Sequence, residues 1–479
     1  MTQPEVARRD WLWQVVALAA GVVVVRWVLL GFSGIDLFVD ETQYWLWGQD
    51  FAWGYYSKPP LIAWLIGAVT TLAGSDAPFW VRMPAPLLNG ATAVLLAALS
   101  ARVWGPRSAI WVAAAWLSLP AVALGSILIS TDTVMAPLFA AALLVHHRLC
   151  ETRRARDALL VGVLIGLALL AKYAAVYFLI GAGLAALLFP GARIGWRNAG
   201  LMLLALAIVV APNLLWNLQN GLVTLRHTAD NIGWVENGID ADRLPGFVGL
   251  VIFLASQLAV MGPVLFGAFV IALARFRSSG PLAAFALVPL AAVSVQSLLD
   301  TAYANWAVAA YFAGTPLAMA VLARYPRLRI AGLTVNVAIA LIVHLLAVWP
   351  QITLWQADPP LERYVGRAAL SQELIALAKQ DGDAPIYVES RDIAADLFYV
   401  GRDSGLTFYA PRANGRPMDY YQQNHPLPPT ITGPLLVVRS QPTSCPDLAP
   451  PVPVGRGEGV YEDKVLMAHL IDGACLTQR

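Results

Sequence analysis

The sequence predicts an all-α polytopic membrane domain of about eleven transmembrane helices, followed by a small α/β domain. Three observations support this fold class. Only 13% of the 479 residues are charged and 58% are hydrophobic, whereas about 25% are charged in an average soluble protein. Apolar runs near the length that crosses a bilayer recur up to residue 349. Charged residues then become denser from Pro350 onward.

Eleven apolar stretches fit or approach the length of a membrane-spanning helix. They lie at residues 11–30, 84–103, 108–125, 132–147, 158–171, 173–190, 198–217, 246–274, 281–299, 306–323 and 330–349. The first stretch follows Arg8 and Arg9, is too long for a signal-peptide core and lacks a small-residue cleavage site. We therefore expect it to be retained as a helix.

Basic residues are unequally distributed between the two sets of loops. One set holds fifteen, which are Arg8, Arg9, Arg102, Arg107, Arg148, Arg153, Arg154, Arg156, Arg193, Arg197, Arg275, Arg277, Arg324, Arg327 and Arg329. The other set holds four, which are Lys58, Arg82, Arg226 and Arg243. Arg26 and Lys172 fall within or between spans and are not counted. Because cytoplasmic loops are enriched in Lys and Arg, we predict a cytoplasmic N-terminus and, after an odd number of spans, a C-terminal domain on the outer side.

The tail differs in composition from the rest of the chain. Residues 350–479 carry 26 charged side chains, 11 basic and 15 acidic, whereas residues 1–349 carry 36. Alternating runs predict strands at Ala384–Glu389 and Leu435–Val438, and helices are predicted at Ala368–Gln380 and Asp392–Val400. We predict a transmembrane domain at 1–349, with a long first outer loop at 31–83, and an outer α/β domain at 350–479.

Charge, cysteine and histidine usage exclude several functional classes. A net charge of +2 provides no polybasic surface for nucleic acid. Three cysteines exclude a disulfide-rich scaffold, while Cys445 and Cys475 in the outer domain are either paired or free thiols. The six histidines do not have the spacing of a zinc site. No Walker-type Gly-Lys-Ser/Thr sequence for nucleotide binding is evident.

The first outer loop combines aromatic rings with a pair of acids. Tyr44, Trp45 and Trp47 fit a helix that lies in the membrane interface, where amphipathic rings occupy the headgroup depth. Asp40 and Glu41 stand at the start of this helix. They are either a pair that interacts with the helix dipole or catalytic carboxylates facing the headgroup of a lipid-linked substrate.

Three further charged residues lie at outer ends of predicted spans or loops. Asp132 opens the fourth span, where it fits both a helix N-terminus and a functional ionisable group. Lys58, which precedes two prolines, and Lys172 are cations on a side that has few. Each either extends toward lipid headgroups or binds a specific anion such as a phosphate.

Several motifs occur in an order that resembles the GT-C membrane glycosyltransferases of the protein-mannosyltransferase and aminoarabinose-transferase type. They cover about residues 10–350 and are Val39-Asp40-Glu41-Thr42-Gln43-Tyr44, Tyr56-Ser57-Lys58-Pro59-Pro60-Leu61, Asp132-Thr133, Gly166 to Lys172-Tyr173, Pro212-Asn213-Leu214-Leu215-Trp216-Asn217 and Ala304-Asn305-Trp306. The resemblance implies a GT-C fold and a transferase at the periplasmic face of a bacterial inner membrane. It implies a polyprenyl-phosphate-linked sugar donor, membrane lipids as partners, and an acceptor such as lipid A, core or another envelope glycan.

The resemblance also implies roles for individual residues. Asp40 matches the catalytic acid of the first outer loop, with Glu41 beside it, and Asp132 matches a second acid that lines the cavity. Lys58 and Lys172 match basic residues that bind the donor phosphate. Substrate contacts are assigned to Tyr44, Tyr56, Asn305, Trp306 and His227. No cofactor is required, although a divalent cation near Asp40 or Asp132 is compatible with the superfamily.

Two positions depart from the aminoarabinose branch. Ser57 stands where that branch has an acid immediately before Lys-Pro-Pro, and Gln43 stands where it has an arginine. Both differences argue against a cationic amino sugar. They favour a neutral hexose or a uronic acid.

The expected reaction is a direct displacement that inverts the anomeric carbon, with polyprenyl phosphate as the leaving group. Asp40 would accept or orient the acceptor proton, and the two lysines would stabilise the departing phosphate. A protein O-mannosyltransferase would share this mechanism and differ in its acceptor. A transporter or lipid flippase is an alternative of another class. Apart from Arg26, His344 and a few amides, however, charged residues deep in the spans are lacking, and the sequence shows no inverted repeat with paired broken helices. A membrane scaffold without catalysis is a third alternative.

Overall fold

The structure of the chain is a computed structural model that describes residues 3–231, 246–353, 358–441, 443–457 and 459–477. Arg243, one of the four basic residues predicted on the outer side, lies outside the described residues. Helices form most of the chain up to residue 348. They are α1 (Gln3–Gly31), α2 (Val39–Gly48), α3 (Leu61–Ala73), α4 (Pro78–Arg82), α5 (Pro84–Trp104), α6 (Ala109–Ser118), α7 (Pro120–Ile127), α8 (Thr131–Thr152), α9 (Ala155–Ala171), α10 (Tyr177–Leu188), α11 (Trp196–Gln219), α12 (Val223–Asn231), α13 (Phe247–Met261), α14 (Pro263–Ala274), α15 (Phe276–Ser279), α16 (Leu282–Leu299), α17 (Ala309–Leu322) and α18 (Pro326–Val348).

Several of these helices are long and apolar enough to cross a membrane, as expected of a multi-pass membrane protein. Within the described ranges there are six, at Asp10–Gly31, Pro78–Trp104, Thr131–Thr152, Trp196–Gln219, Leu282–Leu299 and Pro326–Val348. Two bent pairs raise the number to eight if each pair is one span. The membrane character is confirmed, and the number of eleven spans stays a prediction.

Two predicted spans are broken helices. The stretch predicted at 246–274 consists of α13 and α14, which are bent by 117° at Gly262, and the stretch at 108–125 bends by 59° between α6 and α7. A proline follows each break, at Pro263 and Pro120. Proline lacks an N–H and disfavours helical conformation in the preceding residue, so an uninterrupted apolar run did not produce an uninterrupted helix.

Polar side chains satisfy the carbonyl groups that these breaks release. Arg26, a charged residue within α1, donates to the carbonyl of Leu117 at 2.5 Å and to Ser126 Oγ at 2.9 Å. Asn336 Nδ2 donates to the carbonyl of Met261 at 3.0 Å. Because backbone polar groups in the apolar layer need partners inside the protein, Arg26 has a structural role.

Helix α9 packs closely against α11 through two glycines four residues apart. A Cβ on Gly162 would lie 2.2 Å from the carbonyl oxygen of Met202, and one on Gly166 would lie 2.7 Å from Val209 Cβ. Small residues at this spacing let helix backbones approach each other in membranes. The packing fixes the end of α9, which is followed directly by Lys172.

The tail forms a small α/β domain, as the sequence predicts. Its helices are α19 (Arg367–Gln380), α20 (Arg391–Val400), α21 (Tyr420–Asn424) and α22 (Gly473–Thr477), and its strands are β1 (Ile386–Val388), β2 (Phe408–Tyr409), β3 (Pro434–Arg439), β4 (Val452–Val454) and β5 (Leu466–Asp472). The sheet order is β2-β1-β3-β5-β4. Strand β1 is parallel to β2 and β3, whereas β5 is antiparallel to β3 and β4.

Both faces of this sheet are covered, because successive side chains of β3 alternate between two clusters. Leu436 and Val438 belong to a large cluster that includes α19 and α20. Leu435 and Val437 belong to a smaller cluster on the other face. Cys445 and Cys475 form a disulfide beside that second cluster, so the paired alternative is the one found.

Residue contacts divide the chain into two compact units. Unit 1 comprises residues 1–31, 52–65 and 82–345, and unit 2 comprises residues 32–51, 66–81 and 346–479. Two pieces of the first outer loop therefore group with the tail. The sequence-based domains, 1–349 with the loop at 31–83 and then 350–479, are drawn from composition and stay predictions.

Within unit 2, the first-loop segments are integrated into the tail by specific contacts. Asp36 Oδ2 accepts from the backbone N–H groups of Arg367 and Ala368, at 2.9 and 3.2 Å, and so caps the start of α19. Val39 is 2% exposed and belongs to the larger cluster of the sheet. Tyr399 of α20 donates to the carbonyl of Asp76 at 2.5 Å.

The aromatic rings of α2 lie inside unit 2, which corrects the interpretation of α2 as an interfacial helix. Tyr44, Trp45 and Trp47 are 4%, 4% and 1% exposed. Trp45 Nε1 donates to Asp76 Oδ1 at 2.8 Å, and the Trp47 ring packs edge-on against Tyr420. Helical periodicity predicted the helix, but it could not distinguish a ring that faces lipid from one that faces protein.

The first outer loop also contains an apolar helix, α3, that sequence reasoning missed. At 13 residues α3 is too short to suggest a span. Gly67 lies against the end of α2, where a Cβ would be 2.4 Å from the carbonyl oxygen of Gly48. Only glycine permits this close approach of the two helices.

Candidate active site

In unit 1, the structure brings together two of the predicted site residues. Lys172 Nζ lies 2.7 Å from both carboxylate oxygens of Asp132. Ser130 is the N-cap of α8, so Asp132 is an acid of the first turn and not the cap. The lysine and aspartate side chains are 22% and 15% exposed. The anionic partner expected for Lys172 is therefore present within the protein.

Lys172 adopts an extended conformation between α9 and a short 3-10 helix, Tyr173–Val176. The next residue, Tyr173, donates to Asn213 Oδ1 at 3.0 Å, and Asn217 Nδ2 lies 3.4 Å from the same hydroxyl. Both asparagines are 0% exposed. The two motifs at Lys172-Tyr173 and Asn213 to Asn217 thus form one hydrogen-bonded network.

This network extends to the chain segment that carries Lys58. Asn213 Nδ2 donates to the carbonyl of Trp53 at 2.6 Å, and Thr224 Oγ1 donates to the carbonyl of Tyr55 at 2.6 Å. The Tyr55 N–H in turn donates to the carbonyl of Lys58 at 3.3 Å. Lys58 is half-buried. The structure thereby links the segments of both candidate phosphate-binding lysines within unit 1.

Four of the predicted substrate contacts also lie in unit 1 and form two groups. The ring of Tyr56, 4% exposed, packs against His227 with centroids 5.2 Å apart. Asn305 is exposed and Trp306 is half-buried, in the 3-10 helix Ala304–Ala307. Among the described residues, neither Asn305 nor Trp306 makes a hydrogen bond or ring contact with the Asp132–Lys172 pair.

In unit 2, Asp40 pairs with an arginine from the tail that sequence reasoning missed. Arg391, the first residue of α20, places Nη2 2.7 Å from Asp40 Oδ1. The same guanidinium contacts Gln43 Oε1 through Nε at 3.2 Å and Nη2 at 3.0 Å. Asp40 and Arg391 side chains are 45% and 37% exposed. In the described part of the chain, Asp40 Oδ2 accepts no hydrogen bond.

Burial and neighbouring acidic groups act in opposite directions on Arg391. Burial lowers the pKa of the guanidinium, but Asp40, together with Tyr421 and Asp392, outweighs this effect and raises the pKa above its ordinary value. Arg391 is thus a permanent cation. No local motif identifies it, because it lies 351 residues from Asp40.

Glu41 has a different environment from its neighbour. Its side chain is 2% exposed, and Oε2 accepts from the backbone N–H of Phe38 at 2.9 Å. This contact satisfies an amide at the start of α2, as an acid at the third helical position does in a capping box. Of the two adjacent acids, Asp40 is therefore the one that is accessible to a substrate.

The candidate acids do not fit a divalent cation. Among the described residues, no group of three or more His, Cys, Asp or Glu side chains could hold a metal ion. Asp40 and Asp132 each pair with a basic side chain at 2.7 Å. A hard cation such as Mg²⁺ favours several oxygen ligands, which neither pair supplies.

The sequence is similar to a characterised relative over almost its whole length. It is 39% identical over 469 residues to the lipid A galacturonosyltransferase RgtD of Rhizobium johnstonii, which covers 96% of this chain and 98% of the relative. Residues 57–216 match the family described as dolichyl-phosphate-mannose-protein mannosyltransferase.

The fold is similar to that of solved membrane proteins. ArnT from Cupriavidus metallidurans matches in the apo state with a TM-score of 0.62 and 15% identity, over 98% of this chain and 99% of that chain. ArnT bound to undecaprenyl phosphate also matches with a TM-score of 0.62 and 15% identity, over 95% and 97%. The oligosaccharyltransferase of Archaeoglobus fulgidus gives 0.51 at 12% identity, over 83% and 64%. The 39% identity to the Rhizobium enzyme extends over nearly the whole length of both chains and shows the family. The chain belongs, with that enzyme, to the GT-C family of membrane glycosyltransferases.

Proposed function

We propose that this glycosyltransferase moves a galacturonosyl residue from a polyprenyl-phosphate donor to lipid A. The observation that carries the proposal is the 39% identity to a lipid A galacturonosyltransferase over 96% of the chain, which includes both units. The donor class is supported by the fold shared with ArnT, whose structure is solved with undecaprenyl phosphate. Gln43 and Ser57, which argue against a cationic amino sugar, are consistent with a uronic acid.

Asp40 is proposed as the group that receives the acceptor proton. Arg391 binds Oδ1 and leaves Oδ2 without a partner among the described residues, so Oδ2 can accept the proton of an acceptor hydroxyl. The acceptor oxygen forms a bond to the anomeric carbon as the bond from that carbon to the phosphate oxygen breaks. The proton goes to Asp40, polyprenyl phosphate departs, and the anomeric configuration is inverted.

Lys58 and Lys172 are proposed to stabilise the departing phosphate. An ammonium group has three N–H donors, and Lys172 directs its Nζ at the two oxygens of Asp132. One donor then remains for a phosphate oxygen, while Asp132 fixes the position of the amine. Fixed donors aimed at developing negative charge are an effective means of lowering a reaction barrier. We further propose that the substrates are contacted by Tyr44, Tyr56, Asn305, Trp306 and His227.

The reaction is proposed to occur on the periplasmic side of a bacterial inner membrane. The asymmetry of fifteen basic residues against four supports this orientation. A reporter enzyme that is active only in the periplasm, fused after residue 350, should be active. Activity of a cytoplasmic reporter at that position would overturn the orientation and the outer-face reaction.

The direct test uses the purified full-length protein in lipid nanodiscs. Undecaprenyl-phosphate galacturonic acid and lipid A are supplied, and the product is identified by mass spectrometry. We expect lipid A heavier by one galacturonosyl residue, with the anomeric configuration opposite to that of the donor by NMR. Absence of transfer, with activity on another sugar donor or another acceptor, would contradict the proposed substrate.

A second candidate function is protein O-mannosylation, favoured by the family match at residues 57–216. It shares the mechanism and differs in the acceptor. Cells labelled with radioactive sugar precursors distinguish the two. Label in delipidated protein that depends on this chain would favour the second candidate, and label in extracted lipid A would favour the first.

A further inference from the structure

Arg391 is the cation nearest to the candidate catalytic carboxylate, and its guanidinium is only partly used. The contacts to Asp40 Oδ1 and Gln43 Oε1 employ Nε and Nη2. In the described residues, Nη1 makes no hydrogen bond. A guanidinium carries five N–H donors in a rigid planar fork, so the two donors of Nη1 remain for a ligand.

The contacts of Arg391 hold its guanidinium plane in place. Gln43 is 1% exposed and is a fixed, neutral acceptor. Glu41, the other acid of the same turn, accepts the Phe38 backbone N–H. The Arg391 side chain itself is 37% exposed. The guanidinium is therefore pre-oriented and accessible.

A group with these features fits an anionic, planar ligand. An ionised carboxylate accepts a charge-assisted N–H···O hydrogen bond from Nη1 that is roughly twice as strong as the bond a neutral hydroxymethyl group can accept. In a hexuronic acid the carboxylate belongs to the same ring as the anomeric carbon, which is the atom attacked by the hydroxyl that Asp40 deprotonates.

We propose that Arg391 binds the carboxylate of the donor sugar and thereby selects a uronosyl donor over the corresponding neutral hexosyl donor. This inference rests on the proposed function and adds the residue that determines sugar specificity. A site built to bind a charged group discriminates strongly against a substrate that lacks the group. Because Arg391 is partly exposed and screened, we expect a smaller discrimination of about 10- to 100-fold.

The experiment measures kcat/KM for two donors, undecaprenyl-phosphate galacturonic acid and undecaprenyl-phosphate galactose, with lipid A as acceptor. The full-length parent is compared with Arg391→Gln and Arg391→Lys. We expect the ratio of the two values to fall about 10- to 100-fold in Arg391→Gln and to recover partly in Arg391→Lys, which keeps the charge and loses the fork. Arg402→Gln is the matched control. Arg402 is 30% exposed in the same unit and contacts Asp76 at 3.9 Å, so its loss should leave the ratio unchanged.

The ratio separates a specificity role from a structural one. If Arg391 only positions Asp40, transfer from both donors falls equally in Arg391→Gln, and the unchanged ratio overturns the inference. Binding of undecaprenyl phosphate alone forms a second arm. Weaker binding in Arg391→Gln together with an unchanged ratio would assign the residue to the phosphate and would also overturn the inference.

Failure of the proposed function gives a different result. A parent protein that transfers no galacturonosyl residue to lipid A overturns the proposed function and this inference together. A parent that transfers it, with a ratio that does not change in either Arg391 variant, overturns the inference alone. Arg391→Lys keeps a cation at Asp40. The ratio of the two kcat/KM values can therefore be measured in this variant even if Arg391→Gln fails to accumulate in the membrane.

Discussion

The two candidate ion pairs of this enzyme differ in sequence separation, exposure and geometry. In unit 1, Asp132 and Lys172 lie 40 residues apart in sequence, are 15% and 22% exposed, and share both carboxylate oxygens with one amine. In unit 2, Asp40 and Arg391 lie 351 residues apart, are 45% and 37% exposed, and share one carboxylate oxygen. The first carboxylate is fully engaged by its partner, whereas the second keeps an oxygen for chemistry. The comparison separates a carboxylate that positions a cation from one that can accept a proton.

The largest effect should follow from changing the carboxylate that keeps a free oxygen. Asp40→Asn preserves shape and removes the base, so transfer should fall by at least about 10²-fold. The measurement is the initial rate of transfer to lipid A, normalised to the protein present in the membrane. Asp403→Asn is the control, because that side chain is 90% exposed in the same unit. Activity of Asp40→Asn within a few-fold of the parent would leave Asp40 as a helix-terminal acid and redirect attention to Glu41 or Asp132.

The second effect concerns the lysines proposed to contact the donor phosphate. Lys58→Ala and Lys172→Ala should each weaken binding of undecaprenyl phosphate by about 1–3 kcal/mol, the scale of a hydrogen bond to a charged group. The double variant should lose less than the sum, since groups that share one partner are coupled. Lys→Arg should recover only part of the affinity. Unchanged affinity in both single variants would overturn the proposed phosphate contacts, and Arg82 or Arg226 would become the next candidates.

The less exposed of the two pairs should contribute more to the free energy of unfolding. Lys172→Met leaves the poorly exposed carboxylate of Asp132 without a partner and should lower the free energy of unfolding by about 2 kcal/mol, most of which Asp132→Asn should restore in the double variant. Arg391→Met should cost less than about 1 kcal/mol, because exposed pairs contribute little. Thermal unfolding in detergent micelles measures both. Equal losses in the two units would show that exposure does not govern the two pairs.

A third pair in unit 2 extends the comparison to a buried carboxylate. Asp396 and Arg367 are each 3% exposed and lie 3.1 Å apart. Burial, opposed by the charge of Arg367, raises the pKa of Asp396 to about 7. The folded state then binds a proton that the unfolded state releases near pH 4. Stability should therefore be complete below that value and fall, by on the order of 1 kcal/mol per pH unit, as the pH rises toward 7.

Asp396→Asn provides the control for this pH dependence. The amide does not ionise, so the decrease in thermal stability between pH 5 and pH 7 should be smaller in the variant than in the parent. Thermal unfolding at several pH values measures the difference. An identical pH dependence in parent and variant would assign the effect to another group.

The smallest expected effect is that of metal removal. Because both candidate acids pair with cations, we expect transfer to change less than about twofold after chelation with EDTA or addition of Mg²⁺. A large loss on chelation that Mg²⁺ restores would show that a metal displaces Arg391 or Lys172 from its carboxylate. The two ion pairs would then describe only the metal-free enzyme.

Some of the candidate site was accessible from sequence because its signals are local. Lys172 stood out as a cation between two apolar runs, and Asp132 as an acid at the start of another. Their pairing joins the ends of two helices that are neighbours in the chain. Arg391 gave no signal, because an arginine at the start of a tail helix is ordinary, and only folding brings it to Asp40.

The sequence by itself determined the membrane character, the small α/β tail with the elements around β1, β3, α19 and α20, and the family motifs. Those features depend on hydropathy and periodicity over stretches of 5 to 25 residues, which roughly match the length of single elements. The tertiary structure alone decided that the rings of α2 are buried, that two apolar runs break at Pro120 and Pro263, and that Asp40 pairs with Arg391. The buried rings and the Asp40–Arg391 pair depend on contacts between segments far apart in the chain, which no local pattern encodes. The two prolines are visible in the sequence, but the breaks also require polar side chains from other helices, such as Arg26 and Asn336, to satisfy the released carbonyl groups.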